Sequence, residues 1–311
     1  MSLLALPLVF SLAHCPEESG PKPESHGKRT WDFLATDAFR GKAEVARYTG
    51  EVVRYGHRRS AELMLITVLE PFRQDQLVKS ESETGYYMIK QNQVLSYQTG
   101  VYPYRQMNSI FWEADTGRFR KAVMTSQEWC GQTYKELRKQ SNTLQYFYSS
   151  YWEEESRGYT TRQVPASGAL LYDELPFHVR ADTIKEQEIE IFPMLMSSQV
   201  RRPDWDIGLP PREPEYRPAT LAIQVGTLQW KGQLRNVRIV EVTQGSHEAD
   251  GGTVPVKVDT FYVDMDSPTH PLLRWERNDG GLLELQSLDY FDYWEHNGPA
   301  EVLPGNQALP K

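Results

Sequence analysis

From Lys42 onward, apolar and polar positions alternate with a period near two, in short runs broken by Gly, Asn, Asp or Pro. AEVARYTGEVVRYG sets Val45, Arg47 and Thr49 on one side and Glu44, Ala46 and Tyr48 on the other. A turn-like break at Gly56-His57-Arg58-Arg59 leads into AELMLITVLEPF, dense in β-branched and apolar residues, so the two runs predict a hairpin. The pattern recurs in GYYMIKQNQVLSYQTG, NSIFWEADTGRFRKAVMTSQEW, TLQYFYSSYWEEE and GYTTRQVP, with Asp115-Thr116-Gly117 as a hairpin tip. It resumes in KEQEIEIFPMLMSSQV, ATLAIQVGTLQW, GQLRNVRIVEVTQG, VPVKVDTFYVDMDS and PLLRWERNDGGLLELQSLDYFDYW. Within the last run Asn278-Asp279-Gly280-Gly281 is a strong turn string, because Gly accepts the positive φ of tight hairpins.

Three stretches depart from this period. WDFLATDAF predicts a short helix anchored by the rings of Trp31 and Phe33. GALLYDELPFHVRAD places Leu170, Leu171, Leu175 and Val179 at helical spacings and predicts a helix over residues 169–181, interrupted near Pro176. Residues 201–218, rich in Pro, read as a long surface loop. About a dozen short strands with one packed helix predict a mainly β protein. A sheet of that size must curl to protect its edges and bury one face. The expected fold is therefore a large antiparallel sheet, an open or half-closed barrel wrapped over the 169–181 helix; two successive sheets divided near residue 165 are the alternative. The expected organisation is a signal segment at 1–15, a flexible tether at 16–30, one β-rich domain at 31–296 and a loose tail at 297–311.

The start of the chain adds an address. The apolar run from Leu3 to Ala13 is too short, and too interrupted by Pro7, to span a bilayer, but it suits an export signal. Leu12-Ala13-His14-Cys15 is similar to a lipoprotein cleavage site, with Cys15 as the lipid-attachment residue. It departs at His14, where a small residue is usual, and no Lys or Arg precedes the apolar core. An ordinary cleaved signal, or a buried N-terminal strand, is the alternative. The expected location is the periplasmic face of a membrane or the cell surface, with the membrane as partner through the lipid anchor. Two cysteines in 311 residues exclude a disulfide framework and leave Cys130 alone if Cys15 carries lipid. A net charge of −8 argues against nucleic acid as a partner and against binding an anionic bilayer through a basic patch.

Candidate chemistry is sparse. Glu128-Trp129-Cys130-Gly131-Gln132 is the most enzyme-like string, since a cysteine can act as a nucleophile when a histidine lowers its pKa. His57, His178, His247, His270 and His296 could supply that histidine, and none sits in a recognisable motif. A lone cysteine in a β protein is more often a small buried hydrophobe. No histidine or cysteine spacing fits a metal site, and no glycine loop fits a phosphate, so neither metal nor cofactor is expected. Asp264, Asp266 and His270 cluster, but a polar turn explains them and the spacing does not fit a calcium loop. The aromatics are more distinctive: Tyr102 and Tyr104, Trp129, and Tyr148 and Trp152 could form a platform for a glycan or an apolar ligand. Ordinary sheet packing is the bland alternative.

AEVARYTGEVVRYGHRRSAELMLITVLEPF, TGVYPYRQMNSIFW and SQEWCGQTY resemble a family of uncharacterised exported proteins and lipoproteins of bacteria, with YPY and EWCG the most specific strings. Members have been labelled Maf-type septum inhibitors, but this chain has neither the α/β pattern nor the acidic motifs of such nucleotide pyrophosphatases. The resemblance implies no catalytic residues. More distantly, the layout is similar to periplasmic half-barrels that carry or sense lipids and lipoproteins. The resulting expectation is a non-enzymatic envelope protein that binds an apolar or glycan-like ligand, or an envelope partner, in the concavity of its sheet. A cysteine-dependent hydrolase or transferase, and a purely structural protein, are the competing readings.

Overall fold

The structure, a computed structural model, describes residues 31–82, 85–166, 168–181, 184–202, 213–245, 247–249 and 252–303. The signal segment, Cys15, the tether and the end of the tail lie outside the described residues. Strands β1 (Ala43–Arg54) and β2 (His57–Arg73) open the sheet, and the short β3 (Val78–Lys79) pairs with the end of β2. An antiparallel meander follows: β4 (Tyr87–Thr99), β5 (Tyr102–Glu113), β6 (Phe119–Glu128), β7 (Gly131–Gln140), β8 (Thr143–Ser150) and β9 (Arg157–Gln163). Beyond it come β10 (Ala169–Leu171), β11 (Gln187–Phe192), β12 (Arg217–Trp230) and β13 (Gln233–Gln244). The small hairpin of β14 (His247–Ala249) and β15 (Gly252–Val254) stands apart, and β16 (Lys257–Asp264), β17 (Leu272–Arg277) and β18 (Leu282–Phe291) complete the set.

Among the described residues one sheet holds sixteen of these strands, because β18 pairs with β1 and so joins the late strands to the early ones. The sheet does not divide near residue 165. All its pairings are antiparallel except β10 with β11, and its free edges are β9 and β10. The fold is therefore a large curled sheet that stays open, as the alternation predicted. Turn chemistry explains the hairpins. Tyr55-Gly56 and Lys231-Gly232 both have positive φ, as the two-residue turns that match strand twist require. His57, Arg58 and Arg59 accordingly belong to β2 rather than to the turn. At Gly50 a side chain would collide with the Leu282 carbonyl, so the β1–β18 seam tolerates only glycine there.

The helical expectations need correction. WDFLATDAF forms two 3₁₀ turns, Asp32–Ala35 and Asp37–Phe39, although Trp31 and Phe33 are buried as expected. Over 169–181 the first residues are strand β10, Tyr172–Glu174 is a 3₁₀ turn, and only α1 (Leu175–His178) is helical. Pro176 lies at the start of α1, where its missing N–H costs nothing, rather than interrupting a longer helix. Residues 193–200, which read as a continuation of a strand, are irregular and run inside the curl.

Together residues 172–181 and 193–200 form an inner strap that fills the concavity. Leu175, Phe177 and Val179 are fully buried, and Phe177 stacks on Trp112 at 4.7 Å. Each such side chain contributes roughly 1.5–3 kcal/mol of burial. Two apolar clusters result. One surrounds Leu63, Leu65, Val240 and Phe261; the other surrounds Trp31, Trp112, Leu137 and Tyr146.

Candidate functional site

An irregular strap cannot satisfy its own backbone as a second sheet would, so the sheet beneath it must supply partners. It does so through a polar band on the inner face. Register places Gln93, Asn108, Met124 and Lys135 side by side across β4, β5, β6 and β7. The neighbouring row holds Gln106, Ser126, Thr133 and Ser150. Lys135, buried, donates from Nζ to the carbonyls of Leu195, Ser197 and Gln199 at 2.8, 2.7 and 2.7 Å. Thr133 donates to the Ser198 carbonyl at 2.6 Å, and Gln93 to the Asp173 carbonyl at 2.7 Å.

The strap contributes charges of its own. Asp173 accepts from Asn108 and from the amides of Leu195 and Met196; burial still pushes its carboxyl up to about 6, against those donors and the Lys135 charge. Glu174 accepts from the Trp112 indole at 2.6 Å and from the Leu171 amide at 2.7 Å. Glu155 takes the amides of Val200 and Arg201, each at 2.9 Å. Arg180 grips Glu44 through two bonds of 2.6 and 2.8 Å, and Tyr290 donates to the same carboxylate.

Between the strap and the opposite wall lies a cavity. It contains about 720 Å³ of empty space counting its open end, of which about 60 Å³ can hold the centre of a water-sized sphere. The smaller figure decides what enters, since one water needs ~10–15 Å³ on that measure. On that measure the free space is that of about four to six waters. Its walls are mainly apolar, from Val52, Leu63, Leu65, Leu95 and Leu283 on the sheet and Met194 and Met196 on the strap. Glu51 and Arg277, half-buried, mark the end nearest the β1–β2 and β17–β18 turns. Behind the cavity wall Asp259 accepts from Tyr172 and Trp275, both at 2.8 Å, and burial raises its carboxyl to about 7 despite the Arg277 charge.

Tyr97 connects the cavity to the predicted aromatic residues. It lines the cavity and stacks on Tyr104 at 5.0 Å with an interplanar angle of 6°. Tyr104 meets Tyr102 at 5.8 Å, and Tyr102 stacks on Trp129 at 6.3 Å. Arg54 reaches the Tyr104 hydroxyl and Ser198 of the strap, and the Tyr55 and Tyr104 hydroxyls lie 2.7 Å apart. Burial, and hydrogen bonds to Glu128 and Tyr55, push the Tyr104 hydroxyl far above its ordinary value. Tyr102, Tyr104 and Trp129 thus come together, with Tyr104 buried beneath the other two. Tyr148 is a core residue beside Tyr146, and Trp152 sits on the next connection with its ring against Tyr151.

Cys130 is exposed at the tip of the β6–β7 hairpin, not buried in the sheet. Among the described residues no hydrogen bond joins it to a histidine, and no group of three His, Cys, Asp or Glu could hold a metal. His178 faces Glu174, and His296 faces Asp292 and Glu301. Asp264, Asp266 and His270 occupy a polar turn, where Arg235 meets both aspartates. No helix among the described residues is long and apolar enough to cross a membrane. The polar band and the cavity were missed in the sequence. Their one signal is the set of Gln, Asn and Lys residues standing on the inward phase of β4, β5 and β7.

No family model matches the chain, and no curated protein matches it. Among solved structures it is similar to a β-barrel-like protein, a domain of unknown function, from Brucella abortus. That likeness has 10% sequence identity and a TM-score of 0.45, and covers 81% of this chain and 98% of the other.

Proposed function

We propose that the protein is an exported, lipid-anchored and non-enzymatic envelope protein that takes a slender apolar chain into the cavity between sheet and strap. The cavity carries this reading. It is small in free volume, mainly apolar along its walls, and carries charged side chains at the Glu51–Arg277 end and at Asp173. The small free volume and apolar walls favour an alkyl or acyl chain over a sugar ring, and the charged end would leave a head group in contact with water. The lipobox-like string at Cys15 and the YPY and EWCG resemblance support the address. Cys130 on an exposed tip, without a histidine bonded to it, adds nothing to the hydrolase reading.

Titration of the purified full chain with a fluorescent long-chain fatty acid tests the proposal. Saturable binding is expected, and Leu95→Trp, which fills the cavity, should abolish it while unfolding stays cooperative. Absence of saturable uptake by the parent protein would refute a chain-binding cavity. Intact mass of the membrane-extracted protein tests the anchor: a diacylglyceryl adduct at Cys15 is expected, and an unmodified mass from Met1 would overturn export.

A further inference from the structure

The two free edges of the sheet differ. β10 is three residues long, and its Leu171 amide is already taken by Glu174. β9 runs for seven residues in unbroken register with β8. The Ser150 amide donates to the Ser156 carbonyl and the Val164 amide to the Asn142 carbonyl, which fixes the phase of the ladder between them. Bonding alternates along an antiparallel strand. Gly158, Thr160 and Arg162 therefore turn their backbone groups to β8, and Arg157, Tyr159, Thr161 and Gln163 turn theirs outward. Among the described residues no backbone bond meets those four from the outer side. Arg162 donates to the Thr161 carbonyl at 3.0 Å, which leaves that oxygen a second lone pair.

Native edges are blunted by Lys, Pro, a bulge or a charge standing across them. β9 has no Lys, no Pro and no bulge. Its two arginines are held within their own chain: Arg157 lies over the Phe147 ring at 5.4 Å, and Arg162 donates to the Pro214 carbonyl at 3.1 Å. On the outer face Tyr159 is 62% exposed. The edge is a row of open donors and acceptors with an uncovered ring beside it.

The sequence of β9 complements itself. Two antiparallel copies related by a two-fold axis at Thr160 place Tyr159 opposite Thr161 of the second copy, an aromatic ring against a β-branched side chain. Arg157 falls opposite Gln163, Gly158 opposite Arg162, and Thr160 opposite itself. No like charges face each other. The acidic turn at Glu153 and Glu154 would lie towards residues 164–166 of the second copy, which carry no charge. Phase agrees as well, because the outward residues of one strand meet outward residues of the other. Moving the axis to Tyr159 or Thr161 leaves an outward residue unpaired or brings Pro165, which has no N–H, into the ladder.

We propose that the protein pairs with a second copy of itself through β9, joining the two sheets edge to edge with Thr160 on the axis. This pairing draws on neither the cavity nor the lipid anchor, so it and the chain-binding reading can fail separately.

Sedimentation of the full chain in mild detergent should give twice the mass of one chain. Thr161→Pro removes an outward amide and leaves the ladder to β8 intact. One bond is lost from each copy, and each is worth roughly fivefold, so the dissociation constant should rise about 25-fold. Thr160→Cys, in a full chain that also carries Cys15→Ser and Cys130→Ser, sets two thiols on the axis. Facing residues that share no ladder bonds stand roughly 4.5 Å apart at Cα, within the range of a disulfide. Mild oxidation should therefore link the two copies. Tyr159→Cys in the same background lies a two-residue step from its own counterpart and should not link. Three results would overturn the pairing: a single-chain mass at tens of micromolar, a dimer as tight in Thr161→Pro as in the parent (as association through the apolar start would give), or linkage of Tyr159→Cys as readily as of Thr160→Cys.

Discussion

Removing the Lys135 ammonium should release the strap from the sheet. Lys135→Met keeps the length and apolar stem of the side chain but deletes three donors. The carbonyls of Leu195, Ser197 and Gln199 then lose partners now at 2.7–2.8 Å. Charge-assisted bonds are each worth ~1.5–3 kcal/mol net, which for three would sum to about 4.5–9 kcal/mol. Two effects reduce that figure. The ammonium no longer has to be desolvated, and the part-buried Gln199 carbonyl can turn to water. Leaving a buried carbonyl without its donor costs ~1–3 kcal/mol, and with two carbonyls so stranded we expect about 3–4 kcal/mol here. Urea unfolding should show this as a lowered midpoint at unchanged slope, and the melting temperature should fall by roughly 6–14 °C. Hydrogen exchange should localise the effect. The amides of Leu195 and Met196, held by Asp173, and of Val200 and Arg201, held by Glu155, should exchange faster. A loss below about 1 kcal/mol with unchanged exchange at these amides would refute the idea that Lys135 clamps the strap.

Burial raises Asp259 to about 7 and Asp173 to about 6, from 3.8 for each, so the folded state holds protons that the unfolded state releases. Their contribution is full below about pH 4 and is lost as pH rises through 6 to 7, by roughly 4 kcal/mol for Asp259 at 1.36 kcal/mol per unit. Asp259→Asn should remove that slope, checked as the difference between parent and variant urea midpoints across the range; a pH-independent difference would refute it. Gly50→Ala should cost on the order of 1–3 kcal/mol, because the new methyl meets the Leu282 carbonyl, and thermal unfolding reads it directly. Tyr104→Phe should cost about 1–2 kcal/mol by depriving Arg54 and Tyr55 of a buried hydroxyl, whereas Trp129→Ser should change stability by less than about 0.5 kcal/mol.

The strands and their hairpins were legible because side-chain alternation and turn chemistry are local. Asp115-Thr116-Gly117 and Asn278-Asp279-Gly280-Gly281 fall between paired strands, as their residues predict, whereas of the Gly56–Arg59 break only Gly56 lies in the turn. The 169–181 stretch was misread because Leu170, Leu171 and Leu175 satisfy helical spacing and a short strand leading into a turn equally well. Pairing with β11, which no local pattern shows, decides between them. Asp173 and Glu174 lie in the same stretch, and both are buried acceptors that hold the strap. Among the candidate site residues the YPY string and Trp129 proved to be neighbours. Tyr148 could not be told from them by type, since inward and outward aromatics read alike in a strand.

The division of the lumen explains why a cavity persists in a densely packed interior. An apolar strap on an apolar wall would slide until every void closed, because burial has no direction. Here the strap is fixed instead by directional bonds to one side. Gln93, Asn108, Thr133 and Lys135 hold it against β4, β5 and β7, and Arg180 ties its other part to Glu44 on β1. The wall across from the band offers Val52, Leu63, Leu65 and Leu283, which can attract the strap only by contact. Collapsing onto them would break charge-assisted bonds worth several kcal/mol, more than filling so small a space would return. The polar band therefore does two things at once: it satisfies an irregular backbone, and it holds that backbone away from the apolar wall across the cavity.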